Sequence, residues 1–388
     1  MDQSLIYYMF LIFTGASVMA TIALATRQSL LVAYILMGVI IGPWGLGWIT
    51  DPKLIMHLSD VGIVFLLFLL GLSLDPKSLI HLLKNSIQVT LISCFLFGIV
   101  GFGLARVFHF TWIESAVIGT TMMFSSTIIG LKLLPTTVLH HQRMGEVMIS
   151  VLLLQDIIAI TAMIVIEGYV GEASVAQKLM TLGLGVPGLL LFCVLFERYV
   201  LSALFRRFDR IQEYIFLLAI GWSLGVAVIA QKIGLSYEIG AFMAGVVIAV
   251  SPISLFIAES LKPLRDFFLV MFFFALGAAL NLDRLGEVIW PALLLAGLML
   301  LMKPYVFSKL LKSTASMPHR TWEIGVRLGQ ISEFSLLVAY IAFNGKVIGE
   351  TAYFLIQAST LVTFVVSSYW VVMRYPTPLG FSENLRRD

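Results

Sequence analysis

The run SIQVTLISCFLFGIVGFGLA, from Ser86 to Ala105, is twenty residues without a charge, and about 20 apolar residues in a helix is the length that crosses a bilayer core. Leu179 to Phe196 and Thr351 to Met373 repeat the pattern. Around them, the chain of 388 residues is 60% hydrophobic and only 12% charged, against about 25% charged in a soluble domain. No aqueous fold hides that much apolar surface. A membrane barrel would show short alternating segments, whereas these runs are continuous and rich in Leu, Ile, Phe and Gly, so the backbone must satisfy itself within helices. The fold class expected is an all-α polytopic membrane protein.

About thirteen spans are expected, centred near residues 14, 39, 66, 96, 124, 157, 190, 221, 243, 273, 299, 333 and 362. The opening stretch from Ser4 to Leu24 has only Asp2 as a charge before it and reads as a first span rather than a signal peptide. With the N-terminus outside, the inner loops collect Arg143, Arg198, Arg206, Arg207, Lys262, Arg265 and most other basic residues, while the outer loops hold few, such as Lys53, Lys178 and Lys232. That asymmetry obeys the positive-inside rule and predicts an N-out, C-in orientation. The formal charge of +3 is spread over many short loops, which argues against nucleic acid as a partner.

Two spans carry breaks of small and polar residues. One is Phe124-Ser125-Ser126-Thr127-Ile128-Ile129-Gly130, the other Gly329-Gln330-Ile331-Ser332-Glu333-Phe334. They stand seven spans apart, an odd displacement that inverts orientation. The expected organisation is therefore two inverted repeats of six spans, approximately 1–170 and 211–376, joined by a linker helix at approximately 179–200. The blander reading of each break is close helix packing.

Asp156 lies in Val151-Leu152-Leu153-Leu154-Gln155-Asp156-Ile157-Ile158-Ala159-Ile160, with no other charge near it. A carboxylate in mid-membrane costs several kcal/mol and by default faces an aqueous cavity or a partner. Proton and monovalent cation are mutually exclusive occupants of one carboxylate, which is the physical basis of antiport. Hydroxyls and carbonyls around Ser125, Ser126 and Thr127 are hard oxygen donors, the class that K+ or Na+ requires. Lys303, followed by Pro304, is the other ionisable residue deep in a span; it either neutralises Asp156 or the carbonyl ends of the half-helices, or snorkels to the interface. Glu333, beside Gln330 at the second break, either compensates the N-terminus of a half-helix or pairs with Lys303.

Other polar residues read more plainly. Glu323 and Arg327, spaced i, i+4, are expected to form an interfacial ion pair; Glu114 and Glu238 read as wetted caps, and His140 and His141 as a solvated turn. Cys94 and Cys193 sit in apolar runs and read as small buried residues. Gly42 to Gly47 is glycine-rich, but no strand precedes it, so it is a helix end rather than a nucleotide loop.

Taken together, Gly42 to Gly47, Gly71-Leu72-Ser73-Leu74-Asp75-Pro76, Ser125-Ser126-Thr127, Leu154-Gln155-Asp156-Ile157, Gly240 to Gly245 and Leu328 to Phe334 resemble the membrane domain of Kef-type potassium efflux systems, in the second monovalent cation:proton antiporter family. The likeness covers nearly the whole chain. It implies that Asp156 carries cation and proton alternately, that Gln155 stands where electrogenic relatives have a second Asp, and that Lys303 is the basic residue near the crossing. It also implies a core subdomain with both broken helices, a dimerisation subdomain, a homodimer, elevator-type movement and residence in a bacterial inner membrane, among lipid. Kef systems carry a cytosolic nucleotide-binding domain that responds to glutathione adducts. No such fold is expected within these residues, and Ser251 to Arg265 holds Glu259 as its only acid, so glutathione control is not carried over. A cytosolic regulatory domain or subunit remains an expected partner.

The function expected is K+/H+ exchange with no cofactor beyond the transported ions; the alternatives are Na+/H+ exchange and a gated cation channel, which the single acid and the inverted breaks disfavour. An intramembrane aspartyl protease would need a second deep Asp, and the sequence has none, so no enzyme is expected.

Overall fold

The computed structural model describes residues 5–26, 28, 30–49, 61–62, 64–65, 67–69, 71–72, 76–132, 143–169, 184–208, 211–235, 237–251, 253–280, 282–314 and 320–377. Its regular elements are helices: α1 (Leu5–Ala25), α2 (Leu30–Ile41), α3 (Pro76–Val107), α4 (Trp112–Met122), α5 (Thr127–Lys132), α6 (Arg143–Tyr169), α7 (Val186–Phe196), a π-helical turn (Glu197–Leu201), α8 (Ser202–Arg207), α9 (Gln212–Lys232), α10 (Tyr237–Ala249), α11 (Ser254–Ala278), α12 (Leu282–Thr314), α13 (Thr321–Arg327), α14 (Glu333–Asn344) and α15 (Glu350–Arg374). Among the described residues seven stretches are long and apolar enough to cross a membrane: Leu5–Ala25, Ser86–Val107, Val147–Ile166, Val186–Arg207, Gln212–Lys232, Leu285–Lys312 and Glu350–Arg374. Leu30–Ile41, Ile239–Ala249 and Glu333–Asn344 are shorter apolar helices. The protein is a multi-pass membrane protein. The expected span near residue 66 lies partly outside the described residues, as do His140, His141 and the side chain of Glu238.

The chain forms two compact units. One comprises Met1–Trp48, His81–Ile166 and Gly277–Asp388, the other Ile49–Ile80 and Glu167–Leu276. In the second unit, helices meet where side chains vanish. A Cβ on Gly240 would lie 2.6 Å from Ala230 Cβ and 2.7 Å from Ala227 Cα, so α9 and α10 approach backbone to backbone. A Cβ on Gly71 would lie 3.0 Å from Gly245 Cα, which brings two of the glycine-bearing motif stretches together. Trp222 Nε1 donates to Ala244 O at 3.2 Å, and its ring stacks on Phe196.

In the first unit, α12 packs against both α13 and α15, and α14 against α4 and α15. Gly42 to Gly47 follows the end of α2 as a turn, with Gly47 at φ +67, the left-handed region that glycine enters without steric cost. α4 opens on a capping box: Glu114 N donates to Thr111 Oγ1 at 3.2 Å, and Thr111 N donates back to Glu114 Oε2 at 3.1 Å. Glu114 is more than a cap, because Gly349 N at the head of α15 donates to its Oε1 at 3.1 Å. The Glu323–Arg327 pair forms at 2.8 Å with Arg327 buried, and its guanidinium also donates to Pro376 O.

Candidate functional site

Two helices are interrupted inside the first unit. The first break separates α4 from α5 at residues 123–126; the second separates α13 from α14 at residues 328–332. Each restarts on a serine. Ile129 N donates to Ser126 Oγ at 3.1 Å and Phe334 N donates to Ser332 Oγ at 3.1 Å, so each hydroxyl takes up one of the donors that a helix start leaves orphaned.

The breaks cross each other. Ser125 Oγ donates to Leu328 O at 2.8 Å, and Gln330 Nε2 donates to Ser126 O at 3.3 Å, so a side chain of each break satisfies a carbonyl of the other. Lys303 of α12 donates to both: to Phe124 O at 2.5 Å and to Gln330 O at 3.2 Å. Its side chain is fully buried, which excludes snorkelling, and its ammonium stands 5.4 Å from the Phe97 ring centroid. Lys303 reaches the breaks because α12 and α13 nearly touch there. A Cβ on Gly325 would lie 2.9 Å from Pro304 Cα and 3.1 Å from its carbonyl carbon.

Asp156 of α6 is buried at 1% exposure. Thr127 Oγ1, on the first residue of α5, donates toward both of its carboxylate oxygens at 3.3 Å. Of the three residues expected to complete a cation site, Thr127 is the one whose hydroxyl meets Asp156 among the described residues. The Ser125 hydroxyl is engaged with Leu328 and that of Ser126 with Ile129. Gln155, next to Asp156, faces the first break: it accepts from Ser125 N at 3.0 Å and donates to Met123 O at 3.1 Å and to Cys94 Sγ at 3.9 Å. Its amide thus holds the unwound backbone that lies before Thr127. Glu333 occupies the first turn of α14 and is buried.

Sequence reasoning missed the contribution of α15. Thr363 Oγ1 accepts from Ile331 N at 3.0 Å, and Ser367 Oγ donates to Gln330 Oε1 at 3.0 Å. The signal was present as hydroxyls spaced four residues apart, Ser359, Thr363 and Ser367, in a predominantly apolar span.

A carboxylate such as Asp156, beside the Thr127 hydroxyl, is a hard oxygen donor that binds a proton or a small cation, and the Lys303 ammonium donates to carbonyls of both breaks. Among the described residues no group of three or more His, Cys, Asp or Glu is placed to hold a metal ion. The fold is similar to that of the sodium proton antiporter MjNhaP1 from Methanocaldococcus jannaschii at pH 8, with a TM-score of 0.70 and 17% identity over 94% of this chain and 98% of that one. The model of the transmembrane sodium/hydrogen exchanger family matches residues 11–373, a stretch that holds both breaks, Asp156 and Lys303. With nearly its whole length so matched, the chain belongs to the sodium/hydrogen exchanger family, whose members are transporters and not enzymes.

Proposed function

We propose that the protein exchanges a monovalent cation for a proton, the two competing for the carboxylate of Asp156. The observation that carries this reading is the Thr127–Asp156 contact, with Asp156 buried, set where two interrupted helices cross. Cation binding requires the ionised carboxylate, so each arriving cation displaces a proton and each arriving proton expels the cation. Lys303 stays with the carbonyls of both breaks and offsets their partial negative charge through the cycle. Exchangers of this family use no cofactor, and the cation is cargo.

Potassium is the cargo toward which the Kef-type motif stretches point, including Gln155 beside Asp156. Sodium is the second reading, favoured by the description of the matched family and by the name of the structural neighbour. Both ions accept the same oxygen ligands, and cavity geometry decides between them. Proteoliposomes carrying an imposed pH gradient, challenged with K+, Na+ and Li+ over a range of pH, test the reading. Cation-driven proton release with a KM that rises as pH falls is the expected result. Cation flux that ignores the pH gradient would make the protein a channel.

The same proposal includes thirteen spans in two inverted repeats, a core subdomain moving as an elevator against a dimerisation subdomain, a homodimer, and an N-out, C-in orientation in a bacterial inner membrane. The inverted repeats are supported by the reciprocal bonds of the two breaks. Mass measurement in mild detergent tests the dimer; an active species of monomer mass would refute it.

A further inference from the structure

The second break is held from behind by α15. Thr363 and Ser367 lie four residues apart, hence on one face of that helix, and both are buried. The Thr363 hydroxyl accepts from Ile331 N, and that of Ser367 donates to Gln330 Oε1, each at 3.0 Å. Gln330 in turn donates through Nε2 to Ser126 O at 3.3 Å. Ser126 precedes Thr127, whose hydroxyl meets both oxygens of Asp156. A carboxamide has unlike ends. Its donor end must face the Ser126 carbonyl, which only accepts, so its oxygen needs a donor elsewhere, and Ser367 is that donor.

We propose that Ser367 is a positioning residue for the cation site, acting through Gln330 on the Ser126–Thr127 peptide to set how tightly the cation is held. Without the hydroxyl, Gln330 Oε1 is left buried without its donor, and the amide loses its fixed orientation. The peptide carrying Thr127 then loosens at a site whose selectivity depends on ligand position. The inference rests on the reading of Thr127 and Asp156 as the binding pair.

The test uses the full chain in proteoliposomes and measures KM and Vmax for Na+ and K+ at fixed pH in Ser367→Ala, Ser367→Thr, Ser368→Ala and Asp156→Asn. Ser367→Ala should raise the KM of the transported cation about three- to tenfold, the fold-change of one neutral hydrogen bond, with Vmax per folded molecule near that of the parent. Ser367→Thr, which retains the donor, should restore the KM. Ser368 is a neighbouring control, because its buried hydroxyl has no partner among the described residues, and Ser368→Ala should leave the KM unchanged. An unchanged KM in Ser367→Ala, with or without a lower Vmax, overturns the proposal, as does a rise shared equally by Ser367→Thr or Ser368→Ala. Retained exchange in Asp156→Asn would instead overturn the reading of the carrier itself, so the two failures are distinguishable.

Discussion

Replacing Lys303 by glutamine tests the charge balance of the crossing. The ammonium donates to Phe124 O and Gln330 O, and hydrogen bonds from a charged donor contribute about 1.5–3 kcal/mol each, so the pair supplies about 3–6 kcal/mol. Against that stands the desolvation of a fully buried ammonium, which costs several kcal/mol. The two nearly cancel, and Lys303→Gln should unfold within a few degrees of the parent. Transport responds differently. The carbonyl ends of α4 and α13 each carry about −0.5 charge, so together they balance the ammonium, and the glutamine leaves about one negative charge uncovered at the crossing. A shorter amide donates neutral bonds of about 0.5–1.5 kcal/mol where it reaches. A loss of about 1.5–3 kcal/mol in one state of the cycle slows turnover by about ten- to a hundredfold. Proton release from proteoliposomes measures the rate, and currents on a solid-supported membrane measure charge. If Asp156 is the single exchanging carboxylate, one cation should leave for one proton and the parent should pass no sustained current. Parental exchange rates in a folded Lys303→Gln would refute the charge-balance argument. A turnover current in the parent that vanishes in Lys303→Gln would show that the lysine carries a second proton.

Asp156→Asn should abolish cation-dependent proton movement while the protein remains folded, because an amide cannot trade a proton for a cation; exchange by a well-folded variant would remove Asp156 from the mechanism. It should also lose thermal stabilisation by the transported cation, which for the parent is about 2.7 kcal/mol at a hundred times Kd. Gly325→Val places a Cβ against Pro304 backbone atoms, which cannot yield as a flexible side chain would. It should cost about 1–3 kcal/mol and depress exchange by moving α13 from Lys303; parental melting behaviour and rate would show that the close approach is unnecessary.

Much of the fold is legible in composition. A chain this apolar has one way to satisfy its backbone in lipid, so the long runs around Ser86–Ala105 and Thr351–Met373 read as helices without any knowledge of packing. The two breaks were legible for the same reason, because Ser125-Ser126-Thr127 and Gly329-Gln330 interrupt apolar periodicity where nothing local requires it. Asp156 and Lys303 stood out because an ionisable residue in a span is expensive.

Which polar atom meets which was a different matter. The tripeptide Ser125-Ser126-Thr127 offers three equivalent hydroxyls in sequence, yet in space one reaches Leu328, one caps α5 and one meets Asp156. Lys303 had a choice between snorkelling and burial that span length alone left open. The glycine contact at Pro304 decided it by bringing the carbonyls of both breaks within reach. The hydroxyls of Thr363 and Ser367 looked like ordinary tolerated polarity in a long helix until the second break was seen lying against them. The residue inventory by itself determined a helical membrane protein with a carboxylate at Asp156 deep in one span, a lysine at Lys303 in another and two interrupted spans, because those costs are paid locally against lipid. The assignment of each hydroxyl, amide and carbonyl belongs to the tertiary structure alone, because a hydrogen bond depends on distances of about 3 Å between atoms as far apart in the chain as Ser126 and Gln330.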